Sequence, residues 1–314
     1  MNIPPVSVCL TTYNRAAVLP ATLDSILSQE MGDFELIVSD DGSGDSTEEL
    51  CREYASKDSR VRYFRNSVNL RMPGNLNMAI ARARATLIAN LHDGDIYRPD
   101  LLAKWRSAME DQTDAAFVFN ALESVDHDGT HLCFHRHPFN PRIETLELTR
   151  FMLTQLTSPV WGTVMARRLC YEASGLFKPQ YGFISDVEMW MRLNVDYPVA
   201  YLAEPLIKVT PREATHPYAY VDWEIEQIAI SMHREVIGLL GSRGLIDVSK
   251  ANRHLRKLRE RRWLFLLASC AKRRRLDLLV RGLTLFRSDE SALLKSISTL
   301  ALPFATGMKQ RQAS

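Results

Sequence analysis

Apolar and polar positions alternate in blocks along the first hundred residues. Val6 to Leu10 is a short apolar run that ends in the polar Thr11-Thr12-Tyr13-Asn14-Arg15, the pattern of a buried strand and its loop. Leu19, Leu23, Ile26 and Leu27 then recur at helical spacing. Phe34 to Val38 predicts a second strand, stopped by Ser39-Asp40-Asp41-Gly42-Ser43-Gly44, and Asp45 or Ser46 is placed to cap a helix through about Ser56. Val61 to Phe64 predicts a third strand, Asn75 to Ala85 a helix, and Thr86 to Leu91 a fourth strand leading into His92-Asp93-Gly94-Asp95. Strand, loop and helix repeated in this way predict an α/β fold, a Rossmann-type, mostly parallel sheet flanked by helices.

In such a sheet a ligand sits beyond the carboxyl ends of the strands. Three strand-end loops here carry polar side chains suited to that place: Thr11 to Asn14, Asp40-Asp41, and Asp93 with Asp95. Further along, Ala116 to Ser124 and His131 to His135 flank Asp128-Gly129, a hairpin turn pair. Beyond Pro138 the pattern is mixed, and Val221 to about Phe286 is helical in period, an α-helical appendage. No internal repeat or low-complexity segment interrupts it.

Composition changes this picture in one respect. At 314 residues, 46% apolar and 24% charged, the chain has the balance of a folded protein and not of a disordered one. The formal net charge of +2 conceals a division: the last 75 residues carry seventeen Lys/Arg against five Asp/Glu, an excess of +12, and the first 239 carry −10. Five scattered cysteines, Cys9, Cys51, Cys133, Cys170 and Cys270, form no C-x-x-C pair and read as reduced thiols of a cytosolic protein. The start of the chain has no basic, signal-like segment, and no apolar run reaches the roughly 18 residues that span a bilayer.

The loops carry the candidate chemistry. Asp93 and Asp95 present two carboxylates, the ligands that a hard divalent cation such as Mg2+ or Mn2+ takes alongside substrate phosphates; the same pair also suits a turn. In Asp40-Asp41-Gly42-Ser43 one acid is placed to turn the chain while the other accepts from a ligand N–H. Gly42-Ser43-Gly44 does not extend to G-x-G-x-x-G, and no G-x-x-x-x-G-K-[ST] occurs, which takes the main support from a hydride-transfer Rossmann enzyme and from a P-loop NTPase.

Five segments in order resemble the family 2 glycosyltransferases of the GT-A fold: Val6 to Arg15, Val38 to Ser43, Asn77 before Leu91 to Tyr97, Gly175-Leu176-Phe177, and Ser185 to Leu193. The resemblance covers roughly residues 4 to 217. It implies transfer of a sugar, with inversion, from a nucleoside-diphosphate sugar such as a UDP-sugar to an acceptor hydroxyl, in the synthesis of cell-surface polysaccharide or glycolipid. Residues 1–217 would then be the catalytic domain, with 1–100 holding the nucleotide and 101–217 the acceptor and catalysis, and 218–314 the basic helical region. The implied donor-binding set is Thr11, Tyr13, Asn14, Asp41, Asn77 and Asp93; Arg71, in the loop Asn69 to Gly74, suits either a phosphate contact in that set or a solvated loop position. The implied metal ligands are Asp93, Asp95 and His216, and the implied general base is Asp186. The family often has Asp-x-Asp-Asp, whereas alignment from Ile96-Tyr97 puts His92 and Gly94 at its first and third positions. Ser185 and Glu188 fit a capping box, and Glu188 with Arg192 an i,i+4 pair, which leaves Asp186 free of capping duty.

Other features compete for a role. His131, Cys133 and His135 share one face of the predicted hairpin, but the spacing matches no common zinc site. Trp161 and Trp190 suit either packing or a sugar face. Residues 250–287, basic around the apolar Trp263 to Ala271, suit an anionic membrane surface, a helical bundle or a second subunit; no nucleic-acid motif accompanies them. The expected partners are thus a nucleotide-sugar, a glycan or lipid-linked acceptor, the inner membrane face and a homo-oligomeric copy, but no nucleic acid. A non-catalytic nucleotide-sugar-binding protein of the same fold is the alternative.

Overall fold

The computed structural model describes residues 3–210 and 222–313. Four parallel strands, β1 (Val6–Thr12), β2 (Glu35–Asp40), β3 (Val61–Arg65) and β4 (Leu87–His92), lie side by side in the order β3-β2-β1-β4. Their crossovers are α1 (Leu19–Leu27), α2 (Thr47–Lys57) and α3 (Arg71–Arg82). The sheet continues through β9 (Val164–Arg167), β6 (Phe117–Val125), β10 (Val199–Val209) and β5 (Ile96–Tyr97), with β7 (His131–His135) on β6 and β8 (Arg142–Ile143) on β10. The parallel reading therefore describes the first half. In the second half β9 runs antiparallel to both neighbours, and only β6 and β10 pair in parallel.

Period two along the strands separates two faces. Val6, Val8 and Leu10 of β1, Leu36 and Val38 of β2, and Leu87, Ala89 and Leu91 of β4 share one buried cluster with Leu19, Leu23 and Ile26 of α1. Trp105 of α4 (Leu101–Asp111) fills the same cluster and donates its indole N–H to Asn120 Oδ1 at 3.0 Å. α3 starts and stops earlier than its apolar spacing predicts. Ala83 is already extended, and the next two amides, of Arg84 and Ala85, donate to Ser7 Oγ, with Arg84 also donating to Glu35 Oε1. Of the two candidate caps of α2, Asp45 serves: its Oδ1 accepts from Thr47 N at 3.1 Å, while the Ser46 side chain caps nothing. The Asp128-Gly129 hairpin forms as its sequence predicts, with Gly129 at φ +81° and Asp126 Oδ1 accepting from two turn amides.

The remaining elements of the first half are α5 (Glu147–Gln155), α6 (Arg168–Ser174), α7 (Ser185–Asp196) and a 3-10 turn over Pro179–Ile184. The chain divides into two compact units, Met1–Met152 with Thr157–Pro211, and Leu153–Leu156 with Arg212–Ser314. The second unit holds α8 (Trp223–Ser242), α9 (Val248–Lys272), α10 (Leu276–Arg287) and α11 (Ala292–Ala313), the last of which the period of the sequence did not reveal. Its core is aromatic. Trp263 stacks on Phe286 at 5.3 Å and 7°, and Trp223 meets both edge-on. Gly282 leaves room for Trp223, since a Cβ there would stand 2.3 Å from the indole. The apolar stripe of α9 that suits a membrane surface is thus largely spent indoors: Leu255, Trp263, Leu267 and Cys270 are buried, while Phe265, Ala268 and Ala271 are exposed. No helix among the described residues is long and apolar enough to cross a membrane.

Candidate active site

The three polar loops meet because of strand register. Thr11 pairs with Ser39 on one side and His92 on the other, and Thr12 pairs with Asp40, so β1, β2 and β4 end level with one another. The first two loops are tied directly. Asn14, at φ +52°, accepts from Gly44 N through its side-chain oxygen and donates its own N–H to Ser43 Oγ at 2.9 Å. Thr11 is half-buried and Tyr13 is exposed at the same rim.

The two acids of the second loop do different work from the division the sequence suggests. Asp40 is buried and turns the chain: Oδ1 accepts from Ser43 N at 2.9 Å and Oδ2 from the Tyr63 hydroxyl at 2.7 Å. Asp41, expected to accept from a nucleobase, is also buried and takes three donors: Asn66 Nδ2 and Leu70 N on Oδ1, and Arg71 N on Oδ2 at 2.7 Å. It anchors the 66–71 segment, which leaves its carboxylate about one acceptor position for a ligand. Arg71 engages Asp41 through its backbone, at φ +57°. Behind it, Asn75 Oδ1 accepts from Ser39 Oγ and Asn66 Nδ2. Asn66 and Asn75 escaped sequence reasoning. The one available signal was Asn75 itself, a polar residue on the inward stripe of α3.

Asn77 bonds within the protein. Its amide is consumed by the backbone of Phe177, donating to that carbonyl at 2.9 Å and accepting from that N–H at 3.1 Å. Arg192 holds the same segment, donating to the Ser174, Gly175 and Leu176 carbonyls while its other edge grips Glu188. Asn77 and Gly175-Leu176-Phe177 therefore form one brace between α3 and α7.

The third loop is pinned from two sides. The buried Tyr97 hydroxyl accepts from His92 N and donates to His92 O, both at 2.8 Å, and burial raises its pKa well above the ordinary value. Thr22 Oγ1 accepts from Gly94 N and donates to Asp95 O, both at 2.9 Å. Asp93 Oδ1 lies 3.6 Å from Arg15 Nε, and Asp95 Oδ2 lies 3.9 Å from His92 Nδ1. Two carboxylates on one tight turn fit a hard divalent cation that completes its shell with water and phosphate oxygen. Among the described residues no three His, Cys, Asp or Glu side chains gather as a ligand set, and His216 lies outside the described residues.

Asp186 opens α7. The expected capping box does not form: the cap position is Ile184, and the buried Ser185 hydroxyl has no partner among the described residues, while Glu188 is taken by Lys178 and Arg192. The carboxyl of Asp186 is pushed up to about 7 by burial, opposed by the Val187 and Asp186 backbone N–H groups and more weakly by the Trp190 indole. Trp190 itself is a core residue, 4.9 Å from the Phe117 ring.

Gly162 reveals what surrounds Asp186. It sits at φ +85°, and a Cβ there would stand 2.6 Å and 2.8 Å from His92 Cε1 and Nε2 and 3.2 Å from Asp186 Oδ2. The imidazole at the end of β4 and the carboxylate at the head of α7 therefore converge on one point. No motif in the sequence joins positions 92, 162 and 186. Beside them Trp161 is 43% exposed and packs on the His135 ring at 4.5 Å. The hairpin histidines bond within the hairpin, His135 Nε2 to Ser124 Oγ at 2.7 Å and His131 Nδ1 to Glu123 at 3.0 Å.

Comparison with known proteins bears on the family and the fold. Residues 7–173 match the sequence profile described as Glycosyl transferase family 2. The chain is 29% identical over 216 residues to an uncharacterized glycosyltransferase of Methanocaldococcus jannaschii, covering 66% of this chain and 71% of that protein. It is 35% identical over 94 residues, 30% of each chain, to the GalNAc(5)-diNAcBac-PP-undecaprenol beta-1,3-glucosyltransferase of Campylobacter jejuni. The crystal structure of S. aureus TarS 1-349 in complex with UDP-GlcNAc shares the fold, at TM-score 0.67 and 15% identity, over 96% of this chain and 87% of that one.

Proposed function

Because the chain belongs to glycosyl transferase family 2, we propose that it moves a sugar from a nucleoside-diphosphate sugar to an acceptor hydroxyl with inversion, Asp186 taking the acceptor proton. The observation that carries the assignment is the convergence of Asp186 and His92 on Gly162, level with the strand-end loops. In the proposed step the acceptor oxygen bonds to the anomeric carbon as the bond to the diphosphate oxygen breaks. The acceptor proton passes to Asp186, and the nucleoside diphosphate departs. A base whose pKa lies near neutrality suits that transfer.

Thr11, Tyr13 and the remaining acceptor position of Asp41 would face the nucleoside, and Asp93 and Asp95 would hold a Mg2+ or Mn2+ ion. When bound, that ion neutralises charge on the departing diphosphate. The relative named for glucosyl transfer to an undecaprenol-linked acceptor and the neighbour with UDP-GlcNAc support a UDP-sugar donor and a glycan or lipid-linked acceptor, in surface polysaccharide or glycolipid synthesis.

Replacing Asp186 with Asn removes the base and keeps the shape. Transfer should fall by at least about a thousandfold, at the strong end of acid–base effects. Donor affinity, read by calorimetry, should change less than about threefold. Full turnover by this variant would take Asp186 out of the role.

A further inference from the structure

The last helix of the second unit leaves an apolar line exposed. Leu293, Leu300, Phe304 and Met308 of α11 follow one another at two turns, one turn and one turn, so the helical period puts them within one narrow arc. They are 49%, 71%, 77% and 58% exposed, and the line runs about 22 Å at the helical rise. The neighbouring arc of the same helix faces the core. Leu294 and Ala305 are buried there, and Ser298 Oγ donates to Leu283 O of α10 at 2.6 Å. Single apolar side chains at a surface are ordinary, but four large ones in line mark an interaction face.

Charge selects the occupant of this face. The unit carries nineteen Lys/Arg against ten Asp/Glu, so a second copy would bring like charge to it. α10 and α11 form a hairpin with a short connection, which turns the far half of α11, with Phe304 and Met308, back towards the start of α10. Just before that start Lys272, Arg273 and Arg274 are exposed, and Lys309 is exposed at the end of the line itself. Cations beside an apolar helical face match an anionic lipid surface, where headgroups meet the charges and acyl chains the apolar arc.

We propose that α11 docks this protein on an anionic membrane surface, with Leu300, Phe304 and Met308 entering the interface and Lys272, Arg273 and Lys309 meeting lipid phosphates. The proposal concerns the helical unit alone and does not rest on sugar transfer. It moves the membrane contact from the α9 stripe, which is largely buried, to a helix that lies outside the basic stretch 250–287.

The test uses the full chain in flotation on phosphatidylcholine vesicles with and without phosphatidylglycerol. Leu300→Gln with Phe304→Gln removes the apolar line at exposed positions with a good helix former. Lys272→Gln with Arg273→Gln removes charge and keeps the line. The unmodified chain should float on the anionic vesicles, and each double variant should bind them at least about tenfold more weakly while far-UV circular dichroism stays unchanged. Phe304→Trp should keep its binding, and brominated acyl chains should quench the added fluorescence. No flotation of the unmodified chain, equal flotation by the Leu300→Gln, Phe304→Gln variant, or no quenching of the new indole overturns the proposal. So does light scattering that shows a dimer which that double variant dissolves, since a second copy would then cover the line.

Discussion

At the scale of single residues, Asp186 carries a cost that its proposed task explains. Burial opposes its charge and lifts its pKa to about 7, whereas an unfolded-chain Asp titrates near 4. A group whose folded pKa is raised in this way costs stability as pH rises from the unfolded value through the folded one, and the cost is full above about 7. Asp186→Asn should therefore raise the melting temperature at pH 8 and leave it nearly unchanged at pH 4. Activity has the complementary sign: the ionised form is the base, so kcat/KM should climb with pH and level off above about 7. A flat profile between pH 5.5 and 8 would exclude this assignment. The acid itself was legible in the sequence through the Ser185 to Leu193 segment. Its surroundings were not, because His92, Gly162 and Asp186 meet only in space and Gly162 contributes by having no side chain.

At the scale of elements, the positions of the loops follow from hydrogen bonds that spacing cannot reveal. The strand-end acids were legible because each follows an apolar run. Whether an acid faces a ligand or a neighbouring backbone depends on the fold of a distant segment. Asp41 shows the difference: its partners at 66, 70 and 71 lie 25 to 30 residues away in the chain. Asp41→Asn replaces one acceptor oxygen with a donor facing an N–H. It should cost about 1–3 kcal/mol of stability by denaturant titration, the magnitude for a buried polar group left unpaired. It should also weaken nucleotide binding at least tenfold, because the 66–71 segment loses its anchor. Unchanged affinity and stability would show that the three donors do not order the loop. Asn77 is a second case: its amide bonds the backbone of Phe177, 100 residues further along the chain.

At the scale of the whole molecule, the α/β class and the helical character of the tail were readable from period alone, since long amphipathic segments carry their own signal. The antiparallel second half was not, because β8 and β5 are two residues long and β9 only four. Nor was the fate of the α9 stripe, since an apolar face reads the same against lipid as against Trp223 and Phe286. The division of charge acquires a boundary from the structure. The first unit carries twenty Lys/Arg against twenty-seven Asp/Glu, and the second nineteen against ten. A chain of formal charge +2 with its charges evenly mixed would pass weakly through either kind of ion-exchange resin near neutral pH. With −7 on one compact unit and +9 on the other, each resin meets a surface of its own sign preference. The protein should be retained at low salt by both a quaternary-ammonium and a sulfonate column at pH 7.5, and should leave each as salt shortens the screening length. Purification behaviour thus becomes a readout of how the fold sorts its charges, one that the net charge by itself does not foretell.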